Sequence, residues 1–287
     1  MSDMPGGKTL VIGDPIDHSL SPTLHNAAYQ RLQIPLIMER RRVSEVELAP
    51  LLGEMRSGGA HPEKLVGLAI TMPLKIAVTR LVDTMEDAAA KIGAVNTVYL
   101  TTNGQLVGAN TDWLGIKRPL EAKRSLAGAR VGIVGAGGAS LAALYTCSTG
   151  GASITVFNRS RARAESICNN WGALLQPLDA LASAVENLDI IINTTPVGMG
   201  ASTTKDEPTL FDSLPVSSHH LIFETIYSPL HTPLVRRAEE MGATAIRGDE
   251  MFLEQALAQF ELHTGSTAPR ETMKAALLSA LESRGRQ

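Results

Sequence analysis

The stretch Arg130–Cys147, RVGIVGAGGASLAALYTC, constrains the fold more than any other. A short β-rich run meets Gly135, Gly137 and Gly138, and a helix-forming run follows. A buried strand that turns sharply into a helix leaves free N–H groups at the helix start, a cradle for phosphate. Gly135 allows the tight turn. Gly137 removes a Cβ that would block a pyrophosphate, and Ser140 is a small residue at the third fingerprint position. Beyond it come SITVF, DIIIN, LIFET and ATAIR, each separated by a helical pattern. That alternation predicts a doubly wound parallel sheet, an α/β dinucleotide-binding (Rossmann) domain.

The end of the second strand of this domain selects the cofactor. An enzyme that uses NAD carries an Asp or Glu there for the ribose 2′-hydroxyl. This chain has Asn158-Arg159-Ser160, with Arg161 and Arg163 after it. No carboxylate repels a 2′-phosphate, Arg159 offers it a planar fork, and Asn158 and Ser160 can donate hydrogen bonds. Positive charge at a helix start opposes the macrodipole unless an anion sits there. The pattern therefore favours NADP over NAD. Asn193, Thr194 and Thr195 in IINTTPVGMG end another strand, where they can line the cofactor or serve as ordinary loop chemistry.

At about 150 residues per domain, 287 residues predict a second domain. The stretch before Asp112 mixes strands TLVIG, LIMERRRV and KLVGLAIT with a helix SPTLHNAAYQRL, for which Ser21 is the expected N-cap and Pro22 the first helical residue. The arginine run Arg40–Arg42 reads as a solvated edge strand. Asn103-Gly104 predicts a type I′ hairpin turn. Boundaries fall near Asp112 and Arg247, and the chain from Gly248 onward is helical. Those last helices can dock on either domain or cap a homodimer. A net charge of −3 with 4% aromatic residues gives no field or stacking platform for nucleic acid. No apolar run approaches the ~20 residues that span a bilayer. Two cysteines outside any CxxC spacing and an N-terminus without signal-peptide character predict a cytoplasmic protein. The histidines form no metal set, so no metal is expected.

Polar residues gather at the strand ends of the first domain: Ser19, Ser21, Thr71, Lys75, Asn96, Asn110 and Asp112. Lys75 is the only charged residue from Leu65 to Thr79, just after a strand, in a segment read as a helix start. Collected at one sheet edge, the set would bind a small polyhydroxy molecule and supply an acid/base pair. Each residue also has a plain reading: Ser21 and Asp112 as helix caps, Asn96 as a turn residue, Lys75 as a lysine reaching water.

The ordered blocks HSLSPTLHN, TMPLK, GAVNTV, GANTD, GAGGAS, NRSRARA, NTTPVGM, YSPLHTPL and GDEMFLEQALAQF, from Gly13 to Gly265, resemble the shikimate dehydrogenase family. The resemblance implies a two-domain α/β protein that reversibly reduces 3-dehydroshikimate to shikimate with NADPH. It implies that Ser19 and Ser21 hold the carboxylate of a polyhydroxy cyclohexene substrate. Thr71, Asn96, Asp112 and Gln255 would hold its ring oxygens, with Tyr227 nearby and Lys75 and Asp112 as the catalytic pair. The cofactor set extends to Ala139, Met199 and Gly248. Gln255 implies that the C-terminal helices pack back on the first domain, giving a substrate domain of 1–112 plus 248–287 around a Rossmann domain of 113–247. Lys75 either exchanges a proton with the substrate oxygen or stays charged and polarises it.

The match frays at Ala69, where asparagine is usual, and at Trp113, whose ring either packs in the core or lines the pocket. Leu74, Phe252 and His263 also depart from the common residues. Quinate is a rival substrate, although the Ser19/Ser21 pair resembles the shikimate type. A metabolite-sensing protein without turnover is a third reading.

Overall fold

A computed structural model describes residues 6–58, 64–200 and 209–285. Contacts divide the chain into two units, Met1–Thr111 with Gln255–Gln287, and Asp112–Glu254. The sequence places the second boundary at 247/248, whereas residues 248–254 group with the second unit.

The first unit runs β1 (Gly7–Gly13), α1 (Ser21–Leu32), β2 (Leu36–Arg42), α2 (Leu48–Ser57), β3 (Leu65–Ile70), β4 (Thr84–Met85), α3 (Asp87–Ile92), β5 (Thr97–Leu100) and β6 (Leu106–Ala109). Its six strands are ordered β2-β1-β3-β5-β6-β4. β1 pairs in parallel with β2 and β3, and β5 is antiparallel to both β3 and β6. This mixed pairing brings the ends of β1, β3 and β6 and the start of β5 to one edge. β2 is the exposed outer strand expected of its arginines: Arg41 pairs with Glu54 and Arg42 with Asp14. Leu10, Ile12, Leu52, Met55, Leu68 and Ile70 belong to the core under α2.

The second unit holds α4 (Asp112–Glu121), β7 (Arg130–Val134), α5 (Gly138–Thr149), β8 (Ser153–Asn158), α6 (Arg161–Trp171), β9 (Leu174–Pro177), α7 (Leu181–Ala184), β10 (Ile190–Asn193), β11 (Leu221–Glu224), α8 (Pro233–Glu240) and β12 (Thr244–Ile246). The strands form one parallel sheet, β12-β11-β10-β7-β8-β9. Ile190, Ile191 and Ile192 are fully buried, as a strand covered on both faces requires. The order reverses between β7 and β10, the switch point of doubly wound sheets. β9, which the sequence reading does not include, is a largely exposed edge strand of four residues whose Leu175 packs on the unit's core. Trp113 packs on this unit's core, edge-on to Tyr145 and beneath Lys117, which answers the core-or-pocket alternative in favour of packing.

α9 (Gly248–Thr264) begins in the second unit and ends in the first, where α10 (Arg270–Gly285) packs on α1 and Arg284 donates to the His18 carbonyl at 2.9 Å.

Three local expectations are corrected. No α-helix starts at Lys75: turns over 72–76 lead into a 3₁₀ turn, Ala77–Arg80. The Lys75 carbonyl accepts the Val95 N–H at 2.8 Å, so it is spent outside the segment. Ser21 is the first residue of α1 rather than its cap. Leu20 holds that position, and the Ser19 hydroxyl accepts the Ser21 N–H. The β5–β6 hairpin has no type I′ turn, because Asn103 keeps a negative φ and only Gly104 is left-handed. Thr101 pairs with Gln105, and its carbonyl accepts the Gly104 N–H, a three-residue loop with glycine at the bulge.

Candidate functional site

At the carboxyl edge of the parallel sheet, the backbone does most of the work. Gly135 has φ +108°, and a Cβ there would lie 2.8 Å from Thr194 Oγ1 and 2.9 Å from Thr195 Cγ2. Glycine is therefore demanded by both conformation and space. Gly137 caps α5, and no described protein atom lies within 4 Å of where its Cβ would point. A side chain there would fill the concave turn without touching the protein. Ser140 is buried and donates to the Gly137 carbonyl at 2.5 Å, fixing the turn. Gly138 and Ala139 open α5, with its first N–H groups outward. A glycine turn at a helix N-terminus with open N–H groups has the geometry that suits a phosphate.

β8 ends at Asn158, whose amide donates to the Ser160 carbonyl at 2.8 Å. Ser160 caps α6, which contains Arg163. Arg159 is exposed and has no carboxylate partner among the described residues, while Arg161 pairs with Glu165. The donor set of Arg159 and Ser160, without a carboxylate, suits a 2′-phosphate. After β10, Thr194 donates to the Val134 carbonyl at 2.7 Å, and Met199 is exposed at the loop end. Gly248 starts α9 so close to the chain after β11 that a Cβ would meet the Ile226 carbonyl at 2.2 Å. Tyr227, just beyond, stacks on Phe252.

The first unit builds its edge from side chains. Ser19 donates to Ser21 Oγ at 3.2 Å after β1. Thr71 follows β3, packed against Gly13, where a Cβ would come within 2.5 Å of its methyl. Half-buried Lys75 lies beside the start of β5 through its carbonyl bond to Val95. Asn96 is buried between these segments: its amide donates to Thr111 Oγ1 at 2.9 Å, and its Oδ1 accepts the Thr111 N–H at 2.7 Å. Gln255 Oε1 accepts from Thr111 at 3.5 Å. Ser19, Ser21, Thr71, Lys75, Asn96 and Gln255 thus belong to the first unit. Asp112, 5% exposed, begins the second, which also holds Tyr227.

Sequence reasoning missed Gln259. It donates to the Asn96 carbonyl at 3.1 Å and Thr97 Oγ1 at 2.9 Å, and so braces Asn96 from behind. Its place one helical turn after Gln255 was the available signal. His263, a further turn on, lies flat on Gly67 of β3, where any Cβ would collide with the ring at 2.5 Å. His25 lies beside it, ring centroids 6.2 Å apart, and no well-aligned hydrogen bond anchors either ring among the described residues, although Gln259 lies next to His25 and the Leu68 and Val98 backbone next to His263. Burial, together with the His263 charge, pushes His25 down to about 3, and burial pushes His263 down to about 4.

A doubly wound unit with a glycine turn at the start of α5, in a chain whose other unit carries serine, threonine, asparagine and lysine at its sheet edge, defines a two-unit α/β protein of the dinucleotide-binding class. Family profiles match in three stretches: the shikimate dehydrogenase substrate binding domain over 11–98, shikimate/quinate 5-dehydrogenase over 119–200, and the shikimate 5'-dehydrogenase C-terminal domain over 248–278. The chain is 36% identical to a shikimate dehydrogenase (NADP(+)) of Methanosarcina acetivorans, covering 95% of this chain and 98% of that protein. It superposes on the crystal structure of shikimate dehydrogenase from Aquifex aeolicus with a TM-score of 0.86 at 28% identity, covering 95% and 97% of the two chains. The Thermus thermophilus enzyme, crystallised with NADP(H) and shikimate, gives 0.83 at 29% identity, covering 96% and 99%. The chain belongs to the shikimate dehydrogenase family.

Proposed function

We propose that this protein is an NADP-dependent dehydrogenase that interconverts 3-dehydroshikimate and shikimate. What supports the reading is that the segments carrying Ser21, Thr71, Lys75, Asn96 and Thr111 lie by strand ends at one edge of the first unit's sheet, in a chain 36% identical to a named NADP-dependent relative. The two hydroxyls at Ser19 and Ser21 suit a carboxylate, and the threonine and amide groups suit ring hydroxyls. The glycine turn, α5 N-terminus and Arg159 suit NADP, which when bound supplies or accepts the hydride. Lys75 gives a proton to the substrate oxygen as the carbonyl carbon is reduced, and takes it back in oxidation. Asp112 orients that exchange, and Asn96, braced by Thr111 and Gln259, holds the ring's register. Two buried, unpaired thiols, Cys147 and Cys168, suit a reduced compartment such as the cytoplasm.

The test is steady-state absorbance at the NADPH band, with shikimate and quinate offered alongside NADP and NAD. Turnover of shikimate with NADP is expected. Binding without turnover would instead make the chain a sensor, and a quinate preference would replace the substrate.

A further inference from the structure

Glu224 ends β11 and is fully buried, yet the sequence blocks give it no role. Every contact on its carboxylate comes from a donor. Asn193 Nδ2 donates to Oε1 at 3.0 Å and Oε2 at 3.1 Å, the Ile226 N–H donates at 3.0 Å, and Thr232 Oγ1 at 2.8 Å. No cation pairs with it among the described residues. Thr232 caps α8, so the positive end of that helix is its nearest compensation. Burial raises its proton affinity and the donors around it work against that rise, so a buried carboxylate here depends on those hydrogen bonds and ties their donors together.

What it holds is the rim of the second half of the sheet. Asn193 Oδ1 accepts both the Thr195 N–H at 2.9 Å and the Thr195 hydroxyl at 2.7 Å. Thr194 and Thr195 in turn lie against Gly135. Gly198, in the same loop, packs within 2.8 Å of Pro233 at the start of α8, measured from where its Cβ would be. One carboxylate therefore joins the loops after β10 and β11 and, through Asn193, sets the spacing to the glycine turn.

In doubly wound folds each half of the sheet takes one mononucleotide. β7–β9, with the glycine turn and Arg159, form the adenosine half; β10–β12 form the other. We propose that Glu224 is a positioning residue for the nicotinamide half of the cofactor, acting through Asn193 and Thr232 rather than by touching the ligand. This rests on the NADP reading above.

The test is calorimetric titration of the full chain with NADP and with 2′,5′-ADP, which carries the adenosine and 2′-phosphate but no nicotinamide. Glu224→Gln removes the charge at constant shape and turns one acceptor into a donor facing Asn193. The expected result is an NADP Kd raised about tenfold with the 2′,5′-ADP Kd within about twofold of the original. Adding Asn193→Asp returns an acceptor to face the new amide and is expected to restore most of the NADP affinity. Equal weakening of both ligands, no weakening of either, or no restoration in the double variant would overturn the proposal. Should Glu224→Gln not fold, Thr232→Val deletes one donor to the carboxylate together with the Val235 N–H cap of α8, and the same selective loss decides. If the unaltered chain binds neither nucleotide, the NADP reading itself fails. If it binds both and the variants lack the selective loss, only the positioning role fails.

Discussion

The two sheet edges solve recognition in opposite ways. On the reading proposed above, recognition in the second unit depends largely on what is missing: Gly135 and Gly137 carry no Cβ, which leaves the N–H groups at the start of α5 open to a phosphate. On the same reading the first unit depends on side chains: Ser19, Ser21, Thr71 and Lys75 at the strand ends, and Asn96 held in place by Thr111 and Gln259. A phosphate is met by dipoles that are the same in any sequence. A substituted ring needs side chains of particular kinds at particular heights. The first edge should therefore fail when atoms are removed, the second when atoms are added.

Lys75→Ala should break the contrast most visibly. Turnover is expected to fall roughly 1000-fold, as for loss of a general acid, while NADP titration stays unchanged. A variant with normal kcat would remove the lysine from the chemistry. Gly135→Ala adds one carbon on the other side. Its φ of +108° and the 2.8 Å approach to Thr194 predict a loss of roughly 10- to 100-fold in NADP affinity, read by titration. Shikimate binding alone should be untouched.

Acid sharpens the comparison. His25 and His263 have folded values pushed below the usual 6.5, so the unfolded chain binds more protons. Stability is then lost as pH falls from 6.5 toward 4, by about 2 kcal/mol per ring at pH 5. Glu224 is shifted the other way, upward, so its protonation favours the folded state on acidification. Denaturant melts from pH 7 to 5 should show the loss, and His263→Phe should flatten it; an unchanged slope in that variant would refute the assignment. The smallest effect is expected from Arg159→Asp, which should move the NADP/NAD preference about tenfold toward NAD. An unmoved ratio would leave Arg159 as surface.

The parts legible in the sequence were those encoded over neighbouring residues. The β7-turn-α5 unit showed because apolar run, glycines and helix follow without interruption. The polar blocks showed because each sits at a strand end. Gln259 and Glu224 stayed hidden because their meaning lies in partners far along the chain: Gln259 meets Thr97 across 162 positions and Glu224 meets Asn193 across 31. The helix expected at Lys75 failed for a similar reason, since its carbonyl is taken by Val95, twenty residues on. Asn103-Gly104 misled because Asn103 bonds Thr101 through its side chain and has no need of positive φ.

The first unit's last contribution, Gln255–Gln287, leaves the ribosome only after the whole second unit has been synthesised. Until then Tyr29 and His25 lack Phe260 and His263 as neighbours, and Asn96 lacks Gln259. The nascent substrate half thus waits, incompletely covered, while the nucleotide half can already close its own sheet. Birth order along the polypeptide makes the lysine-bearing lobe the later of the two to mature.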